Sequence, residues 1–226
     1  RILRRLGGEI RPFIQDLGMY QEVMAEIDLT AAKAYLAKDL GAVLPKINED
    51  RHLFLREAYH PLLLLNNKKR GEKTWPQTLE LHQENRIVVI SGPNAGGKSI
   101  TLKTIGLLQL MLQSGLLIPV HEGSSCFLFD QILTDIGDNQ SIENHLSTYS
   151  YRLKNMNRFL RKCNEGTLLL INEFGTGSDP ELGGALAETF LETFYECGAF
   201  GVITTHYANL KALADELPHA SNANML

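Results

Sequence analysis

Three short runs govern what this chain can fold into. Arg86-Ile-Val-Val-Ile-Ser91, Thr167-Leu-Leu-Leu-Ile-Asn172 and Phe200-Gly-Val-Ile-Thr-Thr205 are apolar without polar alternation. A strand with one wet face alternates, whereas a strand covered on both faces does not, and such strands belong to parallel sheets layered between helices. Cys126 to Leu133 offers a further strand. Helical segments lie between these runs. Lys98 to Gln113 sets Ile105, Leu108 and Leu112 on one side before Gly115, and Thr148 to Cys163 keeps Leu153, Met156 and Leu160 in register. Pro180 to Cys197 follows Asp179, a natural N-cap, and stops at Gly198. The fold class is therefore α/β, with a mainly parallel sheet flanked by helices.

Ahead of this alternation the chain has another character. From Leu17 to Leu40 apolar residues recur at three- and four-residue steps until Gly41, which predicts a helix packed on its neighbours and interrupted near Asp28 to Thr30. His52 to Ala58 alternates as a strand, and the polar stretch Asn66 to Pro76 reads as a loop. Residues 1–45 and 46–226 are accordingly taken as a helical segment and an α/β domain. The chain opens on Arg1 with no hydrophobic signal core, and a segment of a longer protein is expected. No apolar run nears the ~20 residues a membrane span needs. Cys126, Cys163 and Cys197 are odd in number and widely spaced, suggesting no disulfide framework, no zinc site and a reducing cytoplasm.

Gly92-Pro93-Asn94-Ala95-Gly96-Gly97-Lys98-Ser99 satisfies GxxxxGK[ST] between a strand and a helix. Glycines let the backbone curl so that N–H groups converge on phosphate oxygens, and the following helix adds its positive N-terminal end. Lys98 is placed on the β- and γ-phosphates, Ser99 on a Mg²⁺ ion, and Ile100 borders the site. At the end of the second buried run, where hydrolysing enzymes of this class carry Asp for the metal, the chain has Asn172, followed by Glu173 in position to orient an attacking water. An amide still accepts a hydrogen bond from a metal-bound water, at the cost of a negative charge. The alternative for Asn172 is a strand-terminating turn residue. Gly175 to Asp179 forms a glycine-containing loop, and His206 ends the third run at the edge that faces ligands in such sheets, either structural or a catalytic residue in contact with the γ-phosphate or the attacking water.

Together GPNAGGKS, LLLINEFGTGSDP and ITTHY resemble the MutS family of ABC-type P-loop ATPases. Asp135-Ile-Gly-Asp-Asn-Gln-Ser-Ile-Glu143 with Leu146-Ser-Thr-Tyr149 is similar to that family's signature region. Tyr59-His-Pro-Leu-Leu63, Thr101 to Gly106, Gln113 to Leu116 and the DPELGGALA run are most similar to the paralogue branch that usually carries a C-terminal Smr nuclease domain. The resemblance covers residues 20–226. It implies ATP and Mg²⁺ as ligands, ADP as product, and a homodimer in which Ser147 and Thr148 complete the site of the other protomer. Plain N-capping is the other reading of those two residues. It also implies that residues 1–40 belong to the helical core, that DNA is handled mostly by regions outside this chain, and that the adenine lies near Trp75, Pro76 and His82.

Charge agrees with a remote DNA contact. Residues 1–85 carry 13 Lys and Arg against 12 Asp and Glu, and residues 86–226 carry 9 against 14, leaving the C-terminal part at −5 and without an expected basic surface. A small-molecule kinase is disfavoured because the arginines after Ser99, namely Arg152, Arg158 and Arg161, fall on one predicted helix rather than around a transferring phosphoryl group. A transporter nucleotide-binding domain usually reads LSGGQ where this chain has LSTYS. The remaining rival is a nucleotide-gated dimerisation module with little turnover, because of Asn172.

Overall fold

The computed structural model describes residues 1–93, 97–137, 145–175 and 180–224, with the backbone alone at 145–149 and 180. Helix α1 (Ile2–Ile10) and a single 3₁₀ turn (Arg11–Phe13) lead into the long α2 (Ile14–Leu40). A small sheet follows, built from β1 (Lys46–Asn48), β2 (Leu53–Ala58), β3 (Gln77–Leu81) and, later in the chain, β5 (Ser125–Phe127), in the order β1-β5-β2-β3. Helix α3 (Pro61–Arg70) connects β2 to β3.

The main sheet contains β4 (Ile87–Ser91), β6 (Gln131–Asp135), β7 (Thr167–Ile171), β8 (Phe200–Thr204) and β9 (Ala220–Asn224), in the order β6-β7-β8-β4-β9, parallel at every pairing. Helices α4 (Lys98–Gln113), α5 (His145–Lys162), α6 (Pro180–Glu196) and α7 (Ala208–Glu216) cover it. β4, β7 and β8 are buried at every residue, and alternation then divides them between two cores. Val88, Ile90, Leu168, Leu170 and Val202 face Leu102, Ile105 and Leu108 of α4. Ile87, Val89, Leu169, Ile171 and Ile203 face Met156 and Phe159 of α5, Leu191 and Phe194 of α6, and Leu210 of α7. This double burial is why the three runs lack polar positions. Helix α4 reaches the sheet at Gly106, where a Cβ would lie 2.8 Å from Leu170 Cδ1.

Several expectations are corrected. α2 is continuous through Asp28 to Thr30. Its apolar residues do not pack on neighbours: Leu17, Tyr20, Val23, Met24 and Ile27 are exposed, and only its end reaches the core, through Leu36 and Leu40. The loop expected from Asn66 begins as helix, because α3 runs to Arg70. Pro61 at its first turn and Gly71 beyond its end, in a left-handed conformation, bracket it, and Leu63 N–H donates to His60 Nδ1 at 3.4 Å. Cys126 to Leu133 is two strands in two sheets rather than one. α5 includes His145 to Ser147, ahead of the start expected at Thr148. Cys163 and Cys197 form a disulfide, with Cα atoms 6.4 Å apart, where none was expected. Their spacing in sequence conceals that the residues just beyond α5 and α6 meet. Cys126 remains a buried thiol, its pKa pushed up to about 12 by burial.

Candidate nucleotide site

Because all five strands of the main sheet run the same way, the residues that leave β4, β7 and β8 emerge at one edge, where α/β folds bind ligands. β4 gives way to Gly92 (φ 139°) and then to Gly97 (φ 86°) immediately before α4. Gly97 is at a left-handed angle that a side chain resists, so the bend that turns the chain into α4 depends on it. Asn94, Ala95 and Gly96 lie outside the described residues.

Lys98 is only 3% exposed, and its Nζ donates to Gly92 O at 2.5 Å and Pro93 O at 2.8 Å. Among the described residues it has no carboxylate partner. A buried ammonium held by two carbonyl dipoles is a charge without a counter-charge, and it sits at a helix N-terminus whose first N–H groups also lack intrahelical acceptors. The arrangement calls for an anion. Ile100 is half-buried in the first turn of α4, and its carbonyl accepts from Thr104 Oγ1.

Ser99 and Asn172, 73 residues apart, are brought together: Ser99 Oγ donates to Asn172 Oδ1 at 2.9 Å. Thr204 Oγ1 donates to the same oxygen at 3.0 Å. Asn172 is 2% exposed, and its own N–H donates to Asp135 O. With its hydrogen directed to Asn172, the Ser99 oxygen keeps its lone pairs for a hard cation, so the donor set fits Mg²⁺. What Asn172 lacks is the charge an Asp would add.

Glu173 has φ 52°, a conformation a non-glycine residue holds only when its neighbours impose it, at a cost of about 1–3 kcal/mol. Thr204 is one neighbour, since its Oγ1 accepts from Glu173 N at 2.8 Å and its carbonyl accepts from Phe174 N. Arg152 of α5 is another, donating from Nη1 to Glu173 O at 3.3 Å. Beside Glu173 lies a cavity of about 30 Å³ with Asp135 and Arg152 on its polar side and Leu153, Met156 and Phe190 on its apolar side. Burial pushes the Asp135 carboxyl above the usual range, while Arg152 and Asn155 pull it back down.

Thr204 and Arg152 join this cluster through hydrogen bonds, and sequence reading gives neither a place in it. The only signal for Thr204 is a threonine ending a buried strand. His206 lies two residues beyond β8, exposed and without a hydrogen bond among the described residues, so it is at the expected edge but not joined to the cluster. Ser147 and Thr148 fall within the first turn of α5, and their side chains lie outside the described residues, as does Thr176 to Asp179. Trp75 is 72% exposed, with Lys73 Nζ 3.7 Å from its ring centroid.

Comparison with known proteins decides the family. The model of MutS domain V matches residues 88–226. The chain belongs to the MutS family. It is 44% identical over 225 residues to the endonuclease MutS2 of Shouchella clausii and 41% identical over 225 residues to that of Enterococcus faecalis, each comparison covering 100% of this chain and 28% of the relative. The endonuclease MutS2 of Lactobacillus acidophilus is 42% identical over 224 residues, 99% of this chain and 28% of that protein. This MutS-family chain thus spans about 28% of the length of the curated relatives it matches, and its parallel sheet with the glycine loop is the P-loop ATPase fold of the matched domain. Among the described residues, no helix is long and apolar enough to cross a membrane.

Proposed function

We propose that this chain is the ATP-binding and ATP-hydrolysing part of a DNA-handling protein, working as a homodimer that closes on ATP and opens once only ADP is held. Lys98 carries the reading: a buried cation at the N-terminus of α4, fastened among the described residues to the loop carbonyls of Gly92 and Pro93, matches the triphosphate of ATP. Ser99 holds Mg²⁺, with Asn172 orienting the Ser99 hydroxyl. When bound, the ion neutralises charge on the phosphate oxygens. Glu173, fixed by Thr204 and Arg152, orients water for attack and takes its proton, and His206 contacts the γ-phosphate. Ser147 and Thr148, in the first turn of α5, complete the site of the opposite protomer. ATP then favours the closed dimer by differential affinity, and hydrolysis removes that preference. Residues 1–45 pass the motion to the parts of the protein that hold DNA.

Lys98→Ala is expected to abolish ATP binding measured by titration calorimetry, and unchanged affinity rules the site out. Glu173→Ala is expected to keep ATP and stall phosphate release; wild-type turnover removes Glu173 from the chemistry. The second reading, a nucleotide-gated dimerisation module with negligible turnover, is favoured by one observation, the neutral amide at Asn172. Phosphate release at saturating Mg-ATP, compared with Asn172→Asp, separates the two.

A further inference from the structure

The charge along the chain predicts no basic surface within residues 86–226, and the structure reverses that expectation locally. Five of the nine Lys and Arg residues in this part, Arg152, Lys154, Arg158, Arg161 and Lys162, are on α5, which contains no Asp or Glu. Met156 and Phe159 bury one side of the helix against α6 and the sheet. On the other side Lys154, Asn157, Arg158, Arg161 and Lys162 are exposed and line a shallow groove. The four cations make no ion pair among the described residues, although exposed pairs such as Arg51 with Glu165 form nearby. Four unpaired like charges on two turns of helix repel one another, and a polyanion relieves that repulsion.

The chemistry of the face indicates which polyanion. Lys154 to Lys162 spans about 12 Å of helix at 1.5 Å per residue. Over that distance duplex DNA presents roughly seven phosphates, at one charge per ≈ 1.7 Å. A protein partner needs an apolar centre, because interface cores are depleted of charge. Between residues 152 and 162 α5 exposes no large apolar side chain. We infer that this face binds the phosphate backbone of duplex DNA, without reading base sequence, and gives the ATPase part a DNA contact of its own. The inference rests on the proposed reading that the full protein handles DNA.

The test is binding of a short fluorescein-labelled DNA duplex of mixed sequence to the full-length protein, followed by anisotropy over a series of salt concentrations. The variant carries Lys154→Gln, Arg158→Gln, Arg161→Gln and Lys162→Gln. Each phosphate contact contributes about 0.9 to the slope of log affinity against log salt, so the slope is expected to fall by about 2–4. ATP turnover is expected to stay at the wild-type level, which also reports that the variant is folded. A control carrying Lys46→Gln, Lys68→Gln, Lys69→Gln and Arg70→Gln makes the same change in net charge elsewhere and is expected to keep most of the slope. An unchanged slope in the α5 variant overturns the inference while leaving the DNA reading intact, and an equal loss in the control overturns it in favour of net charge. A slope unchanged on DNA but lost on polyglutamate, or on duplex RNA alone, assigns the face to another partner and also overturns it. Failure of the wild-type protein to bind DNA at all defeats the DNA reading itself.

Discussion

Asn172 and Thr204 show how much of the site depends on single oxygen atoms. Asn172 Oδ1 accepts from both Ser99 and Thr204, so the amide reproduces the acceptor geometry of a carboxylate while leaving out its charge. On the proposed reading, Asn172→Asp adds that charge and would strengthen the hold on a metal ion at Ser99. Groups supporting a metal ligand typically change affinity 10–100-fold, so about tenfold tighter Mg²⁺ dependence of ATP turnover is expected, read as the half-saturating metal concentration. An unchanged value would mean that Asn172 does not sense the ion. Thr204→Val probes the opposite side of the cluster. It leaves Glu173 N–H and Asn172 without the hydroxyl they share, and stranding a buried donor costs about 1–3 kcal/mol. We expect lower stability in urea and turnover reduced more than ATP affinity, because Lys98 and its loop are untouched. Equal losses in affinity and turnover would show that Thr204 supports the whole site rather than Glu173.

Among the elements, α4 lies close against the sheet at Gly106. A larger side chain there must displace Leu170, which is fully buried, and overpacking of this kind costs about 1–3 kcal/mol. Gly106→Val is expected to lower the thermal midpoint by several degrees, whereas Gly18→Val, with open space around it on α2, is not; calorimetry of both variants makes the comparison. Helix α3 adds a pH dependence. Burial, and secondarily the nearby Lys103, holds the His60 imidazole below its ordinary pKa, and the neutral ring accepts Leu63 N–H. A group whose folded pKa is depressed binds more protons unfolded, so its contribution is present above the unfolded value and lost as pH falls through the folded one. Stability is therefore expected to decline on acidification below about pH 6.5, and less steeply in His60→Asn, which caps without titrating. These elements also mark the limits of legibility. β4, β7, β8 and α4 are plain in the sequence because double burial demands uninterrupted apolar residues. β9 is not, since Ala-Ser-Asn-Ala-Asn has no strand signal; it is held by its ladder to β4 and by bonds such as Ser91 Oγ to Asn224 Oδ1 and Asn222 Nδ2 to Lys211 O. α3 was obscured by its polar second half.

Across the whole molecule, the glycine motif and the Asn172-Glu173 pair are visible in one dimension because each is contiguous, while the Ser99–Asn172–Thr204 cluster and the contact of Arg152 with Glu173 exist only once helices and strand ends distant in sequence come together. That last contact bears on the proposed dimer. α5 carries Ser147 and Thr148 in its first turn and Arg152 one turn later, so the helix proposed to receive the opposite protomer's ATP also holds the backbone of the residue proposed to orient water. If ATP is sandwiched in this way, a protein that binds but does not hydrolyse it should accumulate as dimer. Glu173→Gln removes the base without removing Lys98, Ser99 or α5, so in sedimentation velocity it is expected to shift toward dimer with Mg-ATP and not with Mg-ADP. Adding Ser147→Arg, which puts bulk where the opposite protomer's phosphate would sit, is expected to cancel the shift while leaving nucleotide affinity of the monomer intact. A Glu173→Gln protein whose association is indifferent to ATP, or a Ser147→Arg change that leaves the ATP-dependent dimer unaltered, would separate α5 from the opposite site and reduce the chain's chemistry to events within one protomer.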